Sequence, residues 1–192
     1  MTGPLAAVIG EPEATRREKG TLFTPQEIAS QCSFWPKTAG RMVSFRDKIA
    51  DKLQRCGEII FSGAGSSHYT GLSLQGLVQG AVGVRTIAVP ATDLITHPRH
   101  GFFDNRPALM LSFSRSGESP ETVHAVEVIL NAFPSVEHLI VTCNPDSGLA
   151  RRYESRGNVL AIALDKGTCD RGLAMTSSVT SPSRMPPTSG SV

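Results

Sequence analysis

The sequence predicts an α/β fold, a parallel sheet covered on both faces by helices. Three observations carry that prediction. From Glu58 onward short apolar runs recur, "EIIFSG", "VRTIAV", "PALMLSFS", "EHLIVTC" and "NVLAIAL", with too little polar alternation for a sheet that has one wet face. The stretches between several of these runs are long enough for crossover helices, as parallel pairing requires. At 192 residues and 40% hydrophobic composition, the chain has room for one ordinary domain with a real core.

Taken in order, residues 1–22 mix Gly, Pro and both charges without an apolar period and read as a flexible arm. Residues 23–55 read as lead-in helices. In "FTPQEIASQ", Thr24 stands as N-cap, Pro25 at the first helical position and Glu27 three residues after the cap, a capping-box arrangement. A second helical segment over about Lys37 to Gln54 follows from Met42, Val43, Phe45, Ile49 and Leu53 at helical spacing. Residues 56–180 form the α/β body. Beyond it, in residues 181–192, "SPSRMPPTSGSV" is so poor in apolar surface that it reads as a disordered tail.

Bulk properties exclude several classes. A formal charge of +2 over 19 basic and 17 acidic residues, with no long like-charged block, leaves no footprint for nucleic acid or membrane. The cysteines Cys32, Cys56, Cys143 and Cys169 form no CxxC pair, which argues against zinc and for reduced thiols. No metal or cofactor is expected. The start lacks a basic region before its short apolar run, and no segment has the length of a membrane span, so a cytoplasmic location is expected.

Ligands of open parallel sheets bind beyond the carboxyl ends of the strands, and two loops there carry chemistry. The first, "FSGAGSSHYTG", runs from the strand ending near Phe61 through Gly63, Gly65, Ser66 and Ser67 into a helix. It misses the GxGxxG spacing, because His68 stands where the third glycine should be. It also lacks the GK[ST] ending of a Walker loop, and neither loop holds GxSxG. The second, "SFSRSGESPETV", places Ser114, Arg115, Ser116, Gly117 and Glu118 in a turn. Ser119, Pro120 and Glu121 then serve as N-cap, first helical residue and acidic first turn. Hydroxyls gathered at a helix N-terminus suit an anion such as phosphate without a large basic patch.

Together "GAGSSH", "TDLIT", "SFSRSGESPETV", "VTCN" and "DRGLAMTSS" resemble the first sugar isomerase (SIS) domain of the tagatose-6-phosphate ketose/aldose isomerase group. That group is similar to galactosamine-6-phosphate deaminase/isomerases and to the isomerase half of glucosamine-6-phosphate synthase. The likeness runs from about Phe23 to Thr180. It implies a three-layer sandwich around a five-stranded parallel sheet that holds a phosphorylated sugar or amino sugar. By motif match it implies phosphate contacts from Ser114, Arg115, Ser116 and Ser119, and sugar contacts from Gly65, Ser66, Ser67, Met175, Thr176 and Ser177.

The resemblance further implies proton transfer between neighbouring sugar carbons, by groups that belong to a second SIS domain or a neighbouring subunit. "SPSRMPPTSGSV" stands where the group continues into an apolar helix, so the chain is expected to be catalytically incomplete alone. No catalytic residue is assigned within it. Glu118 and Glu121 read as helix-dipole partners, His68 as structural or in reach of a sugar hydroxyl, His97 and His100 as lining the cleft or facing water, and His124 as solvent-facing or packing. Asp93 and Arg171 read as ions of a mutual or loop-bracing salt bridge. A non-catalytic sugar-phosphate sensor is the alternative reading. Pro36 and the lack of clustered Lys and Arg in the lead-in speak against a DNA-binding unit. The glycines of "TGLSLQGLVQGAVG" would allow close packing within the domain or against a second copy, so the expected partners are a homodimer mate or a second SIS domain.

Overall fold

A computed structural model of the chain describes residues 3–102, 106–172 and 174–184. The apolar runs become five strands, β1 (Glu58–Gly63), β2 (Arg85–Pro90), β3 (Ala108–Ser114), β4 (Glu137–Thr142) and β5 (Val159–Ala163). All pair in parallel, in the order β2-β1-β3-β4-β5. Successive side chains on a strand point to opposite faces, so runs that are apolar throughout bury both faces. On one face Ile60, Met110 and Ile140 pack under Leu94, Ala125 and Ile129. On the other Phe61, Leu111 and Val141 meet Leu74 and Met42.

The layers come from α5 (Ser66–Val82), α6 (Ala91–Thr96), α7 (Pro120–Ala132) and α8 (Gly148–Arg151), preceded by α3 (Thr24–Val43) and α4 (Arg46–Arg55). Close approach of α5 to the sheet depends on Gly71, where a Cβ would sit 2.7 Å from that of Phe61. Gly76 and Gly80 have open space instead, and the same helix leaves Tyr69, Leu72 and Leu77 exposed. The glycines of this helix therefore divide between packing inside the domain and an uncovered face. Among the described residues, no helix is long and apolar enough to cross a membrane.

Three boundaries differ from the sequence reading. Residues 3–22, expected as a loose arm, contain α1 (Pro4–Ile9) and α2 (Glu13–Glu18). Neither helix buries a residue, so no apolar period could announce them, and local pairs such as Arg17–Glu13 at 2.8 Å support the second. Helix α3 runs unbroken through Pro36, which lies on its exposed face while Thr38 and Met42 are buried on the other. Packing outweighs the hydrogen bond that proline removes. The tail expected to be disordered from Ser181 is ordered as far as Arg184. After α9 (Ser177–Thr180), Ser181 and Pro182 are buried, and the segment packs against α3 and α5. Residues 185–192 lie outside the described residues.

Candidate functional site

The strand order places the site. Chain connections diverge at β1, whose neighbours are β2 on one side and β3 on the other, and such a switch point opens a crevice at the carboxyl edge of the sheet. Ser62 on β1 lies level with Ser112 on β3. The loops that leave these two strands therefore emerge side by side.

The first loop turns at Gly65, whose φ of +55° is a left-handed conformation that favours glycine. The turn is closed by Ser67 N–H on the Ala64 carbonyl at 3.1 Å and His68 N–H on the Gly65 carbonyl at 3.0 Å. Ser66 and Ser67 open α5, and among the described residues their hydroxyls are bonded to no other group.

The second loop is stitched tightly to its surroundings. Gly117 N–H donates to Ser114 Oγ at 3.0 Å and Glu118 N–H to Ser116 Oγ at 3.2 Å, so these two hydroxyls shape the turn. Asn144 Nδ2 donates to the Ser116 carbonyl at 3.1 Å, and Cys143 N–H to that of Arg115 at 3.2 Å. Gly117 has φ +67°, and a Cβ there would collide with Ser147 Oγ and come within 2.9 Å of Thr142 Oγ1. Ser119 is the N-cap of α7 with Pro120 next, as expected, but its side chain makes no capping bond. Hydroxyls without acceptors thus sit at the starts of both α5 and α7.

The third contributor is the segment after β5, which returns across the strand tips toward α5. Arg115 Nη1 donates to the Asp170 carbonyl at 3.0 Å and lies 3.2 Å from Met175 Sδ, joining the second loop to this late one. Buried Asp170 accepts from the amides of Thr176 at 2.8 Å, Ser177 at 3.1 Å and Ser178 at 2.8 Å, and from the hydroxyls of Thr176 and Ser178. Thr176 and Ser177 are held in this way at the start of α9. The Ser177 hydroxyl is fully buried and donates to the Glu27 carbonyl at 3.4 Å, so it is turned into the protein.

The loop-bracing role expected of Asp93 and Arg171 falls to Asp170 and Glu27. Arg171 lays its guanidinium 4.4 Å over the Phe23 ring, while its N–H and that of Gly172 donate to the Glu27 carboxylate. Glu27 closes no capping box, and Thr24 is the first residue of α3 with no capping bond from the N-cap position, Phe23. Sequence reading passed over Asp170 and Asn144, although both stand inside the quoted motifs "DRGLAMTSS" and "VTCN". Glu27 had no such signal, because its partners lie 144 and 145 residues away.

The remaining titratable groups sort by contact. Glu118 accepts from Gly148 N–H at the start of α8, and Glu121 is exposed in the first turn of α7. His97 and His100 stack at 4.7 Å on the surface, and His124 lies 3.8 Å from Glu127. His68 is half-buried in the first turn of α5, its Nδ1 enclosed without a partner. Burial pushes the Cys143 thiol up to about 12 and raises that of Cys169, so neither thiol near Arg115 is a ready nucleophile. Among the described residues, no group of three or more His, Cys, Asp or Glu could hold a metal ion. A separate hollow beside β5 is lined by Lys37, Arg41, Pro145, Ala163, Leu164 and Asp165. Its cations are occupied by the Asp165 carboxylate and the Ala163 carbonyl.

No family model matches the chain. Individual proteins do. It is 40% identical over 163 residues to D-galactosamine-6-phosphate deaminase AgaS of Escherichia coli O157:H7, covering 82% of this chain and 42% of that protein. It is 33% identical over 170 residues to the protein of the same name from Shewanella sp. ANA-3, covering 84% and 44%. The crystal structure of tagatose-6-phosphate ketose/aldose isomerase from Escherichia coli superposes with a TM-score of 0.80 at 31% identity, over 95% of this chain and 48% of that one. The chain therefore spans less than half the length of the relatives it matches. Sheet order, loop positions and these likenesses together place it in the sugar isomerase (SIS) domain family, as a chain similar to about half the length of the galactosamine-6-phosphate deaminases and tagatose-6-phosphate ketose/aldose isomerases.

Proposed function

We propose that this domain binds a hexose or hexosamine 6-phosphate, of the galactosamine 6-phosphate or tagatose 6-phosphate type, in the crevice between the β1 and β3 loops. The phosphate sits on the 114–119 loop, where the Ser114, Ser116 and Ser119 hydroxyls and the α7 N-terminus converge and Arg115 stands alongside. Ser66 and Ser67 meet the sugar end, Gly65 permits close approach, and Met175 and Thr176 close the far side. Ser177 contributes by holding the late loop rather than by contact. One observation carries this reading: β1 and β3 are neighbours, with unpartnered hydroxyls at the starts of both following helices.

The same reading makes the chain catalytically incomplete alone. Proton transfer between sugar carbons needs a base with a free lone pair in the cleft. Glu27, Glu118 and Asp170 are each engaged by backbone amides, Glu121 is exposed in the first turn of α7, and the unpartnered Nδ1 of His68 is enclosed, so we assign the base to a group outside these loops. We assign the uncovered α5 face to a second copy of the chain, since this helix carries no charged residue and its Gly76 and Gly80 let another helix approach.

A thermal-shift panel tests the binding. Galactosamine 6-phosphate or tagatose 6-phosphate at a hundred times its dissociation constant should stabilise by about 2.7 kcal/mol. The unphosphorylated sugars should do far less, and equal shifts would remove the phosphate from the proposal. Turnover of either phosphate by the purified chain would refute incompleteness. Light scattering that shows only monomer at high concentration would dismiss the α5 partner.

A further inference from the structure

The late loop is held from two sides, by Arg115 of the α/β body and by the lead-in helix α3. Glu27 in the first turn of α3 accepts from Arg171 N–H at 2.6 Å and Gly172 N–H at 3.1 Å through Oε1, with Oε2 at 3.3 Å from the latter. Around it, α3 builds a wall. Phe23 lies under the Arg171 guanidinium, and Gln31 Oε1 and Trp35 Nε1 meet Thr180 Oγ1 at 2.8 and 3.2 Å. Gly172 is fitted to that wall. A Cβ there would stand 2.5 Å from Thr24 Oγ1 and 2.7 Å from Glu27 Oε2.

We infer that Glu27 is a positioning residue for the ligand site, acting through the late loop rather than on the ligand. An ionised carboxylate that accepts two adjacent backbone amides fixes both the position and the orientation of the peptide planes. Arg171 and Gly172 follow Asp170 directly, and Asp170 both orients Thr176 and offers its carbonyl to Arg115. The chain of contacts therefore runs from α3 through Glu27 to the segment that faces the sugar, and only then to the phosphate loop. The phosphate loop has its own supports, Ser114 Oγ, Asn144 and the Cys143 amide, none of which involves Glu27. Loss of Glu27 should therefore loosen recognition of the sugar and spare recognition of the phosphate. This inference rests on the sugar-phosphate reading above for its ligand, but not for the contact itself.

The test uses the full chain with Glu27→Ala, Glu27→Gln and Gly172→Ala, and two readouts. Hydrogen exchange on ligand-free protein should show faster exchange across 170–178 in Glu27→Ala and Gly172→Ala, with the strands unchanged. Glu27→Gln, which keeps one acceptor oxygen, should fall between wild type and Glu27→Ala. Calorimetry should then show galactosamine 6-phosphate binding weakened about tenfold in Glu27→Ala, the loss expected for one charge-assisted anchor, with inorganic phosphate affinity unchanged. Unchanged exchange in 170–178, or equal loss for sugar phosphate and inorganic phosphate, overturns the positioning role. If wild type binds no sugar phosphate, the functional reading fails instead, and the exchange readout alone decides whether Glu27 anchors the loop.

Discussion

The two ends of the sheet are both polar, for opposite reasons. At the amino ends of the strands, buried Lys52 reaches Glu137 and the Asn158 carbonyl, and fully buried Glu58 pairs with Arg85 at 2.8 Å. Charge there is matched to charge across neighbouring elements. At the carboxyl ends the charged groups Arg115, Asp170 and Glu118 are bonded chiefly to backbone, and beside them the hydroxyls of Ser66, Ser67 and Ser119 have no acceptor among the described residues. The contrast teaches how to tell architecture from a site. Matched buried charge closes a structure, whereas donors gathered without acceptors leave room for a ligand to complete them.

Perturbing the amino end should cost stability and leave binding alone. Replacing Lys52 with Met leaves Glu137, the first residue of β4, with Arg55 at 3.8 Å in place of its buried partner. Urea unfolding should report a loss of about 2 kcal/mol, below that for a fully buried pair because Glu137 is partly exposed and keeps Arg55. Sugar-phosphate affinity of the protein that remains folded should be unchanged. A loss of affinity with little loss of stability would reverse the comparison.

His138, next to Glu137 on β4, gives the next effect. It is fully buried with both ring nitrogens unpartnered, and burial, aided by Lys52 and Arg156, pushes its pKa down to about 3. The unfolded chain binds this proton near the ordinary histidine value of about 6.5 while the folded one does not. Stability should therefore be complete above about pH 6.5 and fall as pH drops toward 3, by about 1 kcal/mol per unit through this window. Denaturant midpoints between pH 7 and 4 should show that slope, and His138→Leu should flatten it. An identical slope in the variant would assign acid sensitivity to other groups.

The smallest stability effect belongs to the carboxyl end. An N-cap serine replaced by alanine usually costs about 1 kcal/mol, but Ser119 makes no capping bond. Ser119→Ala should thus change stability by less than about 0.5 kcal/mol while weakening sugar-phosphate binding about tenfold. A normal capping loss with no change in affinity would make Ser119 architectural after all.

Much of this was legible in the residues. Strands such as "ALMLSFS" announce themselves because both faces are buried, and the glycines at 65 and 117 mark left-handed turns that side chains disfavour. What escaped was of two kinds. Helices α1 and α2 bury nothing, so periodicity, which reports burial, had nothing to report. Glu27 acts across the fold, where its local pattern assigned it to the start of α3, and Asp170 bonds a segment six to eight residues on that has no regular period. The same limit explains Ser181 and Pro182, whose order comes from α3 and α5 rather than from their own composition.

The central claim is that the β1 and β3 loops share one ligand. Titration of 15N-labelled protein with galactosamine 6-phosphate tests it most directly. Amide signals of Ser66 and Ser67 should shift together with those of Gly117, Glu118 and Ser119, with one dissociation constant, while those of Lys52, Glu58 and His138 stay still. Shifts confined to one loop, or shifts at the amino end of the sheet, would contradict a shared site.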